Sequence, residues 1–143
     1  MNWYCAHIVM FVELKNTSQM RSPVWEKVVL IEANNEDEAF DKAERHGRSE
    51  EGDDGGTFEW EKSPASWVFA GVRKLTECDA VSGNSESGTE LTYTEFELLS
   101  REDVKRLALG KPVRALFNDV FRRSDAKSNK VEGVAKTAKR KRA

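Results

Sequence analysis

Apolar residues recur along this chain in strand fashion in five stretches and with a helical period in three. From Trp3 to Leu14 both parities are apolar. Trp3, Cys5, His7, Val9 and Phe11 share one face, and Tyr4, Ala6, Ile8, Met10 and Val12 share the other. A strand with two apolar faces is expected inside a sheet. The polar connection KNTSQMRSP, residues 15–23, has the length of a hairpin loop, so the next strand is predicted to be an antiparallel neighbour. That strand, Val24 to Ala33, is rich in β-branched residues and opens after Pro23. Val24, Val28 and Leu30 point one way and Trp25, Val29 and Ile31 the other, with Glu26, Lys27 and Glu32 expected to keep its ends in water.

The period then changes. Asn34 or Asn35 can cap a helix, with Glu38 close to capping-box spacing and Glu36, Asp37 and Glu38 at the positive end of its dipole. Ala39, Phe40 and Ala43 form a narrow stripe, and Gly47 is expected to stop the helix. Thr57 to Lys62 predicts a short edge strand. Trp67 to Leu75 predicts a stronger one, with Gly71 marking a bulge or a close backbone approach. Thr89 to Leu99 is the last clear strand. Its apolar positions change phase between Tyr93 and Phe96, and a bulge near Thr94 or Glu95 would bring Leu91, Tyr93, Phe96 and Leu98 to one face. Ser100 caps a second helix with the stripe Val104, Leu107 and Ala108 and a stop at Gly110.

After Pro112, the residues Val113, Leu116, Phe117, Val120 and Phe121 fall at helical spacing, and an amphipathic helix over 113–121 is preferred to a short closing strand over VRALF. The sum is an α+β domain over 1–121 in the order ββα(β)ββα. Its sheet is expected to be mostly antiparallel, of four or five strands, with the helices on one face and a disordered basic tail over 122–143.

Charge sharpens this division. Residues 122–143 carry nine Lys or Arg against two acids, a net +7, whereas residues 1–121 carry 14 against 23, a net −9. No apolar run reaches the roughly 20 residues of a membrane span, and the N-terminus has no basic leader, so a cytoplasmic protein without membrane contact is expected. Cys5 and Cys78 are then expected as reduced thiols, paired in a disulfide only if the strands bring them together.

Several motifs in that order, WYCAHIVMFVE, VWEKVVLIEANNEDEAFDKAERHG, WVFAGVRKL and GTELTYTEFEL, resemble a bacterial family known as domain of unknown function 4288. The resemblance covers about residues 3–99. Its most specific parts are Val24-Trp25-Glu26, the helix residues Glu38, Ala39 and Ala43, and Gly71-Val72. It implies a small sheet with a packed helix and assigns no activity.

The residues themselves offer little chemistry. His7 and His46 are the only histidines; His7 reads as a satisfied strand histidine and His46 as a favourable charge in a last helical turn. Cys5 and His7 share a strand face, but nothing adjacent in the sequence would activate the thiol. The acidic loop Glu50, Glu51, Asp53 and Asp54 lacks calcium-loop spacing, and its glycines are not a phosphate cradle. No catalytic residue, metal ligand or cofactor is therefore expected.

The expected function is a non-enzymatic accessory module of bacterial or phage type, acting through protein contacts with another protein or with a second copy. Trp60, flanked by Glu59 and Glu61, is the expected exposed aromatic, and Val113, Leu116, Phe117, Val120 and Phe121 the expected contact stripe. The alternative is sequence-nonspecific binding of nucleic acid or another polyanion through Lys136, Lys139, Arg140, Lys141 and Arg142.

Overall fold

A computed structural model describes residues 1–79 and 83–117. The first strand, β1 (Asn2–Leu14), lies between β2 (Ser22–Ala33) and β4 (Ser63–Cys78), antiparallel to both. Both sides of β1 are therefore paired, as its two apolar faces require. β5 (Thr89–Leu98) pairs with the other edge of β2, β6 (Ala115–Phe117) with β5, and the two-residue β3 (Glu59–Trp60) with the start of β4. The six strands run β3-β4-β1-β2-β5-β6, every neighbour antiparallel. β3 and β4 are joined by a tight turn in which Glu61 and Lys62 both take positive φ, as a two-residue hairpin loop requires.

The helix α1 (Glu36–Ser49) begins as its sequence dictates. Asn35 Oδ1 accepts from Glu38 N at 2.8 Å, and the Glu38 carboxylate accepts from Asn34 N at 3.1 Å. Gly47 does not end it. The helix runs two residues further, and Gly47 lies against the Phe69 ring, where a Cβ would clash with ring carbons. Close packing, not a left-handed turn, calls for glycine there. In α2 (Arg101–Ala108), Ser100 Oγ accepts from Asp103 N, and Gly110 takes the positive φ that follows the helix.

The two helices pack on opposite faces of the sheet, not on one. α1 sets Ala39 and Ala43 on Tyr4, Ala6, Ile8, Met10, Val29 and Ile31. α2 sets Val104 on Val9, Phe11, Val24, Phe96 and Leu98. Alternate residues of one strand face opposite ways, so a strand apolar on both faces needs a cover on each.

Two sequence expectations near the C-terminal side change. The bulge in β5 falls at Leu91, opposite the step from Val28 to Val29, not at Thr94 or Glu95. Tyr93 consequently pairs with Lys27 on the α1 face and Phe96 with Val24 on the α2 face, so the phase change reflects a strand apolar on different faces along its length. Residues 115–117 form a strand, not a helix. Phe117 sits opposite Phe96 with ring centroids 5.3 Å apart, and this cross-strand contact outweighs the helical spacing. Val120 and Phe121, and the expected basic tail over 122–143, lie outside the described residues.

Candidate functional site

At one end of the α1 face the sheet is closed by aromatics. Trp25 is fully buried, with Trp60 and Trp67 edge-on at 5.5 and 5.0 Å, and Phe58 stacked on Trp67 at 5.4 Å. Trp60, expected to be exposed, is buried in this cluster, because the β3–β4 hairpin folds its inward face over Val12 and Ala65. It is a core residue and offers no surface to a partner. The other expected contact residues are also engaged. Val113 and Phe117 pack against the α2 cluster, and Leu116 is half-buried in β6. Among the polyanion candidates, Lys136, Lys139, Arg140, Lys141 and Arg142 lie outside the described residues.

The opposite face carries the polar chemistry. Glu26, in the middle of β2, is buried where the sequence suggested a wet position. Its carboxylate accepts three hydrogen bonds: from Arg73 Nε at 3.0 Å, from Arg73 Nη2 at 2.6 Å and from His7 Nδ1 at 2.8 Å. Burial pushes the Glu26 carboxyl up, but the hydrogen bonds and charges of Arg73 and His7 together outweigh it and hold it below its usual value. The same bond to Glu26 raises the Arg73 guanidinium against the opposing effect of its burial. Because an ionised carboxylate only accepts, the His7 proton in this contact is on Nδ1.

A bulge delivers Arg73 to this position. β4 carries one extra residue between the partners of His7 and Ile8 and another between those of Val9 and Met10. At the second, Gly71 adopts φ +151°, and a Cβ there would lie 3.1 Å from the Ala108 Cβ of α2. Gly71 therefore serves both the bulge and the close approach that its place in the sequence predicts. Past Trp67 no described strand pairs with the outer edge of β4.

Across that outer edge runs an open groove of about 500 Å³. Its floor is Ala70 to Val72. Phe40 and Glu44 of α1 line one side, Lys105 of α2 and Leu109, the residue after α2, line the other, and Arg73 is also in the lining. Phe40 and Leu109 are 39% and 71% exposed, so each wall ends in an apolar side chain facing water. A smaller, more polar hollow of about 210 Å³ lies near the β1–β2 connection, lined by Phe11, Gln19 and Arg101, where Arg101 pairs with Glu13.

A model of the family described as a domain of unknown function matches residues 3–92, from β1 into β5. The chain belongs to that family, DUF4288. No curated protein and no solved structure matches it. The part of this DUF4288 chain that matches contains Glu26, His7, Arg73 and the α1 wall of the groove, whereas α2 and its wall lie beyond it.

The Glu26–His7 pair can fix an imidazole tautomer, yet no hydrogen bond joins His7 to Cys5, whose sulfur instead meets Cys78 Sγ at 2.7 Å. Among the described residues no group of three His, Cys, Asp or Glu side chains is arranged to hold a metal ion. Sequence reasoning missed Phe40 and Leu109 as surface residues because each sits beside a true stripe position. The one available signal for Arg73 was its place two residues after Gly71 in a strand.

Proposed function

We propose that this protein is a non-enzymatic binding module of the cytoplasm whose partner is another protein, bound through the groove over the outer edge of β4. The observation that carries the reading is the pair of exposed apolar side chains, Phe40 and Leu109, that line one groove over a stretch of the β4 edge that no described strand covers. Large apolar side chains in a concave setting are the usual anchors of protein contacts. The groove is rimmed by both signs of charge, Glu44 on one wall and Lys105 on the other, which gives a docked segment an orientation.

The two β4 bulges favour a short apolar segment over a full added strand, because a bulged edge offers no long regular ladder. The occupant is therefore a segment of a few residues that places one or two apolar side chains between Phe40 and Leu109. Selection of displayed peptides on the purified chain tests this. Apolar peptides that bind the natural chain at least tenfold more tightly than the Leu109→Asp variant support it. Peptides indifferent to both Leu109→Asp and Phe40→Asp oppose it. A second copy as occupant predicts a dimer by light scattering that Leu109→Asp dissolves.

A second reading rests on charge. The net +7 over residues 122–143, against an acidic remainder, favours contact with nucleic acid or another polyanion through Lys136, Lys139, Arg140, Lys141 and Arg142. Removing 122–143 would then abolish salt-sensitive retention on DNA or RNA, and unchanged retention would oppose the reading. The two readings use different parts of the chain and are tested separately.

A further inference from the structure

Cys5 and Cys78 are 73 residues apart in sequence, yet the sheet brings them together. Both are free thiols, half-buried, on adjacent antiparallel strands. Cys5 pairs directly with Thr76, and Cys78 with Trp3, so the two thiols are diagonal neighbours on one face. Their sulfurs stand 2.7 Å apart, a short step from the roughly 2.05 Å of a disulfide bond. Cys78 is the last residue of β4, so a small movement at a strand end is enough to complete the approach.

We propose that Cys5 and Cys78 are a redox-responsive pair that closes reversibly into an intramolecular disulfide, with a low-molecular-weight disulfide of the glutathione class as its exchange partner. Burial first, then the neighbouring Cys5 sulfur and nearby acids, push the Cys78 thiol up to about 11, so Cys78 keeps its proton at neutral pH. Attack is assigned to Cys5 on the central strand β1, and resolution to Cys78 at the end of β4. The Cys5 sulfur, having lost its proton to water, bonds to one sulfur of glutathione disulfide and expels the first glutathione as thiolate. The Cys78 sulfur then releases its proton, bonds to the Cys5 sulfur and expels the second glutathione. Two protein thiols are oxidised and one small disulfide is reduced to two thiols, so atoms and electrons balance. Excess reduced glutathione runs the same steps backward.

The closed form ties the start of β1 to the end of β4, the strand that has no neighbour on its outer edge past Trp67 among the described residues. A cross-link over so long a loop constrains the unfolded chain strongly. Incubation of the purified full chain in glutathione buffers, followed by acid quenching and non-reducing peptide mass spectrometry, tests the proposal.

A peptide pair linking Cys5 to Cys78 is expected, formed at a rate independent of protein concentration and lost on adding reductant. The oxidised chain is expected to melt roughly 10 °C higher than the reduced one. Cys78→Ser should instead accumulate a glutathione adduct at Cys5, because the resolving thiol is gone. Persistent thiols or separate glutathione adducts at both positions of the natural chain, or links only between chains, would overturn the proposal. So would a Cys78→Ser chain that takes up no glutathione at Cys5.

Discussion

The two faces of the sheet are built on different principles. On the α1 face, aliphatic side chains lead toward the Trp25, Trp60 and Trp67 cluster, with Lys27 between Val29 and Trp25, and the helix meets the sheet through alanines and a glycine. On the α2 face a helix of eight residues covers only part of the sheet, and beside it lie a buried carboxylate with two basic partners and two thiols in contact. The first face stabilises the fold. The second adds the Glu26, Arg73 and His7 cluster, but the α1 face also holds a buried carboxylate, Glu97, with Arg21 at 3.5 Å, and a buried ion pair is seldom more stable than apolar packing of equal volume. The groove lies at the β4 edge where the two faces meet, with α1 on one side and α2 on the other, and it is there that we place the partner.

The contrast can be broken by substitution. The largest effect is expected from Trp25→Ala, which empties the centre of the aromatic cluster. It should cost about 4 kcal/mol in a urea unfolding experiment. A loss below about 1 kcal/mol would mean that this face is not what holds the molecule.

Glu26→Gln should cost about 2 kcal/mol at neutral pH, because Arg73 and His7 lose a charged acceptor. Its pH dependence has a definite sign. The Glu26 carboxyl is held below its ordinary value in the folded protein, so its contribution is complete above that ordinary value and disappears as pH falls through the lower folded one. The natural protein and the variant should therefore converge in stability in acid. A gap that persists there would assign the loss to packing.

A smaller effect, but with a reversed sign, is expected at Gly47. Gly to Ala inside a helix ordinarily stabilises by up to about 1 kcal/mol. Here the new Cβ meets the Phe69 ring, and Gly47→Ala should destabilise by about 1 kcal/mol. The smallest effect is expected at Leu109, which is 71% exposed. Leu109→Asp should leave stability within about 0.5 kcal/mol while removing peptide binding, which separates the binding edge from the stabilising face.

Much of this architecture was legible in the sequence. Parity alone identified β1 and β2 as internal strands, and Asn35 and Ser100 announced both helix starts. Gly71 marked the bulge and close approach that its isolated place in a strand suggests. What stayed hidden depends on contacts between distant segments. Nothing local says that Glu59-Trp60-Glu61 turns its tryptophan inward onto Trp25, or that the stripe from Val113 will meet Phe96 as a strand. The two-sided apolar character of β1 did contain the fact that the helices must divide between two faces. Family membership, over residues 3–92, agrees with the resemblance carried by the strand and helix motifs. The groove was not legible, because its walls come from α1 and α2 and its floor from β4.

The most direct test of the division between binding edge and stabilising face is amide chemical-shift mapping of the isotopically labelled chain with a peptide selected on it. Shifts confined to residues 70–73 of β4 and to the groove-facing residues of α1 and α2, with Trp25 and Trp60 unmoved, are the predicted result. Shifts centred on the aromatic cluster, or on the hollow beside Arg101, would contradict the account.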